Sequence, residues 1–290
     1  MTLRLRIGGF TLAVRARRPL PAFALDARRR RFRVRSGADI DLELEEGRVP
    51  LAVGQERLFD SGGLWRAFRH RRGVLYTFRA PAGGRVPARG LLVDRSRRRG
   101  RLFLAPAFAC EAGFALSYPL EELLLQHHAA HARAFVVHAC GVLTSGRVAL
   151  FCGESGTGKT TTARLWRRHR PSAHVLSDDR LVVRTGEGAP TAWGTPWHGS
   201  GRFASPRGAR LGAVFFLEPS TRTELVSVPR AEATARLLAR SFPPPWEASG
   251  MARVLRSCAR VAARVPCFRL RFRPDVSAVV AAEEAVRRGR

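Results

Sequence analysis

The octet Gly153-Glu154-Ser155-Gly156-Thr157-Gly158-Lys159-Thr160 fits G-x-x-x-x-G-K-[ST], and it constrains the fold more than any other segment of the chain. The strand-like run Arg147 to Cys152 leads into it, and a helical stretch with Thr160, Thr161, Thr162, Ala163 and Leu165 follows. Strand, loop and helix in that order let backbone N–H groups converge on phosphate oxygens, with the helix N-terminus adding a favourable dipole. Of 51 Lys and Arg residues, Lys159 alone is lysine. An ammonium is a compact charge, whereas a guanidinium is a wide planar fork. A loop wrapped round phosphates admits the first and resists the second.

The length of 290 residues suggests one large domain or two smaller ones. No apolar run approaches the ~20 residues of a membrane span. The start alternates charged and apolar residues, unlike a signal peptide, so a cytoplasmic protein is expected. Cys110, Cys140, Cys152, Cys258 and Cys267 contain no C-x-x-C pair, which fits buried thiols in a reducing compartment. The formal charge of +28 could attract polyanions. With no asparagine and a single lysine, however, the arginine excess reads as compositional bias spread over a solvated surface. No aromatic-rich nucleic-acid module accompanies it, so nucleic acid is not expected as a partner.

Two regimes divide the chain. Residues 1–115 show short alternating segments between Gly, Pro and polar turns, including Leu3–Ile7, Phe10–Val14, Arg31–Arg35, Ile40–Leu44, Gly73–Phe78 and Arg101–Leu104. These predict a β-rich N-terminal domain of antiparallel strands. It carries no catalytic constellation, and partner or substrate recognition is its expected role. Residues 116–290 alternate strands with helices, beginning with a helix capped by Ser117 with Pro119 in its first turn. That alternation predicts an α/β domain.

Ser177-Asp178-Asp179-Arg180 ends a predicted strand about twenty residues after the loop. Two carboxylates there suit two tasks, one anchoring a metal and the other taking a proton from an attacking hydroxyl. The lesser alternative is a pair that merely caps the turn, since Asp is common there. His138 lies on the apolar strand ahead of the loop.

Together, His138-Ala-Cys-Gly-Val-Leu, the loop and Ser177-Asp178-Asp179-Arg180-Leu-Val resemble the catalytic domain of bacterial HPr kinase/phosphorylase, over about residues 117–290. That domain is grouped with the ATP-dependent phosphoenolpyruvate carboxykinases. The resemblance implies an α/β phosphate-loop fold of the HPr kinase/PEP carboxykinase type and a kinase acting on a Ser or Thr hydroxyl of a peptide or small protein. It implies ATP and Mg²⁺ as cofactors and a homo-oligomer, since HPr kinase is a hexamer. It places catalytic roles on His138, Lys159 and Asp179, nucleotide binding on Gly153 through Thr161, and the metal on Thr160 and Asp178.

Two features depart from that family. The stretch Gly194-Thr195-Pro196-Trp197-His198-Gly199-Ser200-Gly201-Arg202 has no acid where HPr kinase carries a metal-binding glutamate. The N-terminal region differs as well, so HPr is not the expected acceptor. A nucleotide-binding regulatory or peptide-binding module without catalysis is the alternative reading, and a carboxykinase proper is disfavoured by the short chain.

Other candidates stay open. His127, His128 and His131 have helical spacing, but without a Cys or acidic neighbour they read as packing or solvated histidines. Trp193, Trp197 and His198 suit either a pocket wall or core packing. Arg202, Arg207 and Arg210 could steady a phosphate, but arginine is abundant throughout the chain.

Overall fold

The computed structural model describes residues 1–80 and 86–288. In chain order these form β1 (Thr2–Ile7), β2 (Phe10–Arg15), α1 (Ala27–Arg30), β3 (Ile40–Glu46), β4 (Arg57–Asp60), β5 (Trp65–His70), β6 (Gly73–Phe78), β7 (Arg89–Asp94), β8 (Arg99–Leu104) and α2 (Leu120–His131). There follow β9 (Ala134–Thr144), β10 (Arg147–Cys152), α3 (Lys159–His169), β11 (His174–Ser177), β12 (Arg180–Arg184), β13 (Thr191–Gly194) and β14 (Gly208–Pro219). The chain closes with β15 (Glu224–Ser227), α4 (Arg230–Ala239), α5 (Ala248–Arg264), β16 (Cys267–Phe272) and α6 (Val276–Arg288). This is a mixed α/β protein with two large sheets. Among the described residues no helix is long and apolar enough to cross a membrane.

Two compact units organise these elements. The first gathers residues 1–6, 10–128 and 244–248, and the second 7–9, 129–243 and 249–290.

In the first unit an eight-stranded sheet runs β1-β2-β3-β8-β7-β6-β5-β4. Strands β4 to β8 form an antiparallel meander. The expected all-antiparallel pairing does not hold, because β3 is parallel to both β2 and β8. Period-two alternation sets which face is buried but carries no direction. Long connections return the chain to the same end of the sheet, and those pairs become parallel.

Arg31–Arg35, expected as a strand, is largely irregular. Asp26 caps α1 through the amides of Arg28 and Arg29, and only Arg33 bridges to Leu5. Ser117 does not cap α2 with its side chain either. Its hydroxyl donates to Phe114 O at 3.0 Å and accepts from Arg89 Nη1 at 3.0 Å. Arg89 is 2% exposed and also donates to the carbonyls of Phe114, Ser117 and Tyr118. Burial between Phe78 and Phe114 pulls its pKa down to about 10.

In the second unit β10 pairs antiparallel with β9 and parallel with β14, and β14 pairs parallel with β16. Alternation along β10 supplies two cores. Val148, Leu150 and Cys152 join residues of α4 and α5, while Ala149 and Phe151 join Ala163 and Trp166 of α3 and the apolar side of α6. Helices therefore cover both faces of this sheet, the arrangement that buries near-continuous apolar strands. The second unit thereby holds the end of β10, where the glycine octet begins, between two packed layers.

Candidate active site

The octet leaves the buried end of β10 and enters α3 at Lys159. Its glycines have specific reasons. Gly158 takes φ 102° as the N-cap, a conformation L side chains rarely adopt. A Cβ on Gly153 would meet Thr157 Oγ1 at 2.2 Å, and that hydroxyl donates to Glu154 O at 2.8 Å. Among the described residues the amides of Ser155, Gly156 and Gly158 find no acceptor in the protein. The first N–H groups of a helix also lack intrahelical partners. The loop thus presents a run of donors beside a helix N-terminus, the chemistry that holds phosphate.

Lys159 is 7% exposed and folds back onto its own loop, with Nζ 2.9 Å from Gly153 O and 2.6 Å from Glu154 O. Burial lowers its pKa below the ordinary lysine value, and the charge of Asp179 acts in the opposite sense. Glu154 is tied from outside by Arg240, whose Nη2 lies 3.0 Å from Glu154 Oε1.

Asp178 and Asp179 occupy the turn between β11 and β12. The two carboxylates serve different neighbours. Asp178, 2% exposed, faces the loop. Its Oδ2 accepts from Thr160 Oγ1 at 3.0 Å and Gly201 N at 2.8 Å. Its Oδ1 accepts from Gly199 N at 3.0 Å and Phe203 N at 3.3 Å. Gly201 is required here, because an added Cβ would lie 2.7 Å from Asp178 Oδ2.

Asp179 faces β9 instead. Its Oδ1 lies 3.2 Å from His138 Nε2, and its Oδ2 lies 3.6 Å from Arg180 Nε. Sheet pairing sets this contact, since His138 is opposite Arg180 and Ala139 N donates to Asp179 O at 2.9 Å. Segment 240–242 flanks the histidine. Arg240 O accepts from His138 N at 2.7 Å, and the Phe242 ring lies 4.9 Å from the Arg180 guanidinium carbon.

Around the loop, Thr160 thus meets Asp178 and His138 lies beside Asp179, while Lys159 is held by its own loop's carbonyls. Thr161 lies exposed in the first turn of α3. Trp193 packs its ring against Gly208 and bonds Thr191 Oγ1 at 3.1 Å, so it serves the sheet. Trp197 is 7% exposed and contributes its carbonyl to the Ser177 hydroxyl, and His198 bonds Gly199 O. Arg202, Arg207 and Arg210 are exposed. In the first unit His127 bonds Tyr76 Oη at 2.7 Å and Glu247 Oε2 at 3.0 Å, and His128 bonds Arg97 O at 2.8 Å.

Three contributors were not read from the sequence. The Gly199-Ser200-Gly201 stretch, noted for its missing acid, supplies amide donors to Asp178 in place of a carboxylate. Ser177 ties the acidic turn, its hydroxyl accepting from the amides of Asp179 and Arg180. Arg240 reaches Glu154 in the loop. The paired glycines were the visible signal of the first, since they mark a close backbone approach.

No protein-family model and no curated protein matches the chain. Among solved structures it is similar to the HPr(Ser) kinase/phosphatase from Coxiella burnetii, at 12% identity over 53% of this chain and 94% of that one, with a TM-score of 0.31. A score that low does not establish a common fold, so the site stands on its own geometry.

Proposed function

We propose that the chain is an ATP-dependent phosphotransferase that moves the γ-phosphoryl group of ATP to a hydroxyl, a Ser or Thr of a peptide or small protein. The carrying observation is the division of labour at the acidic turn. Asp178 accepts a hydrogen bond from the loop hydroxyl of Thr160, while the adjacent Asp179 lies 3.2 Å from His138 Nε2.

The residues present fit ATP and Mg²⁺. Unpaired loop amides and Lys159 are donors suited to phosphate oxygens, and the hydroxyl of Thr160 beside the buried carboxylate of Asp178 is an oxygen set suited to a hard cation. Bound there, Mg²⁺ would neutralise charge on the transferred group. Lys159 exchanges its two carbonyl contacts for phosphate oxygens. Asp179 accepts the acceptor's hydroxyl proton as the new O–P bond forms and the bond to the ADP oxygen breaks. His138 holds Asp179 in the orientation that proton requires, and Arg180 steadies its other oxygen. We assign acceptor recognition to the β-rich residues 1–115, which carry none of this chemistry.

The test is mass spectrometry of hydroxyl-bearing peptides after incubation with the protein and ATP·Mg²⁺, beside calorimetry of nucleotide binding. A stable phosphorylated product that Lys159→Ala abolishes supports the reading. Failure to bind ATP·Mg²⁺, with Lys159→Ala behaving as wild type, sinks it. Nucleotide binding with no product would make the chain a binding module instead.

A further inference from the structure

A pocket of about 250 Å³ in the second unit gathers cations with no Asp or Glu in its wall among the described residues. Arg253, Arg256 and Arg260 line it from α5, at spacings of three and four that place them on one helix face. Arg133 enters from the turn after α2 with φ 54°, and Thr185 enters from the end of β12. Hydrogen bonds tie these walls together. Thr185 donates its amide at 2.8 Å and its hydroxyl at 2.9 Å to Arg133 O, and Arg260 Nη1 donates to Thr185 O at 2.9 Å.

The charges in this pocket are uncompensated. Arg133, Arg253 and Arg256 make no side-chain hydrogen bond or ion pair among the described residues. Ser257, 5% exposed, lines the same pocket, and its hydroxyl has no partner there either. Like charges held together cost free energy. One anion in the pocket relieves that cost, and the Ser257 hydroxyl is free to donate to that anion.

We propose that this pocket binds a compact anion of the phosphate class, such as inorganic phosphate, diphosphate or the phosphoryl end of a small molecule. Guanidinium forks match tetrahedral oxyanions through paired N–H donors, and the Ser257 hydroxyl supplies one more. The small volume and a lining without Phe, Tyr or Trp among the described residues disfavour single-stranded nucleic acid, which stacks bases on large aromatic rings. The site is distinct from the phosphate loop, because Thr185 lies roughly 20 Å from Asp179 along β12 at the rise of an extended strand. It stands independently of the phosphotransferase reading.

The experiment is calorimetry with inorganic phosphate, diphosphate and phosphoserine on the full chain carrying Lys159→Ala, which removes the loop's main cation. One diphosphate per chain is expected, bound more tightly than phosphate. The exposed pair Arg253→Gln/Arg256→Gln should weaken it at least about tenfold, two charge-assisted contacts being lost, and Ser257→Ala should weaken it less. The exposed control pair Arg17→Gln/Arg35→Gln should leave it unchanged. No saturable binding, binding indifferent to the pocket pair, or an equal loss in the control pair would overturn the site as diffuse attraction to a basic chain. Tighter binding of phosphoserine than of both inorganic anions would overturn the assignment to a free anion.

Discussion

His138 Nε2 and Asp179 Oδ1 stand 3.2 Å apart where the start of β12 pairs with the middle of β9, and the Arg180 guanidinium flanks the acid's other oxygen at 3.6 Å. An acid so held is aimed without being sealed, since it keeps 25% side-chain exposure against 2% for the whole of Asp178. That difference in exposure is why the proposed role of proton acceptor falls on Asp179 rather than Asp178.

Asp179→Asn keeps the side chain's shape and removes its proton-accepting ability. Turnover should fall by about 10²- to 10⁴-fold, the usual range for a general base, with ATP affinity nearly unchanged. His138→Ala should lower turnover by less, because it loosens the acid without removing it. Initial-rate kinetics beside nucleotide titration separate the two. A large loss of ATP affinity in Asp179→Asn would contradict the assignment.

Lys159→Arg tests the shape of the loop at constant charge. The ammonium fits between two carbonyls at 2.9 and 2.6 Å, a space unsuited to a planar fork. ATP affinity should drop at least about tenfold, or about 1.4 kcal/mol, as read by calorimetry. Wild-type affinity in this variant would show that only the charge matters.

Gly201→Ala places a methyl 2.7 Å from Asp178 Oδ2 and 2.8 Å from the Phe203 ring. Overpacking of this kind costs roughly 1–3 kcal/mol. The melting temperature should fall, and more Mg²⁺ should be needed for half-maximal activity as Asp178 is pushed from Thr160. A Mg²⁺ requirement equal to wild type would detach the 199–203 loop from metal binding.

Acid should weaken the first unit through His128. Burial lowers this imidazole's pKa, with Asp39 opposing and Arg98 and His127 reinforcing the effect. Its contribution is therefore present above the unfolded value of about 6.5 and is lost as pH falls through the lowered folded value, because the unfolded chain takes up the proton first. Urea midpoints should decline from pH 7.5 to 5.5, and His128→Gln should flatten that decline. An unchanged slope in the variant would assign the acid sensitivity elsewhere.

Local features of the site were legible in the sequence. Glycine spacing, the lysine and the flanking strand and helix all act within a few residues, and β10 and α3 lie where the pattern placed them. Asp178's partners were not legible, since three of its four donors are amides 21 to 25 residues further along the chain. Backbone donors carry no side-chain signature. Strand direction was invisible for a related reason, as β3 lies between β2 and a strand that arrives only after the β4–β7 meander. Arg31–Arg35 misled because its alternation follows an Asp26 cap that commits the preceding residues to a helical turn. Arg89 resembled every other charged position, and only its tertiary burial distinguishes it.

The pairing of β9 carries a consequence for how this protein can vary. Strands β10, β11 and β12 all bond to it, and the same bonds that bury Val137 and Ala139 hold His138 beside the acid. A one-residue slip would turn the histidine to the opposite face and drive apolar side chains out of their layer. Sequence drift in this strand therefore reaches packing and candidate site together, because a chain that folds with β9 out of step misplaces its core side chains and His138 in the same event.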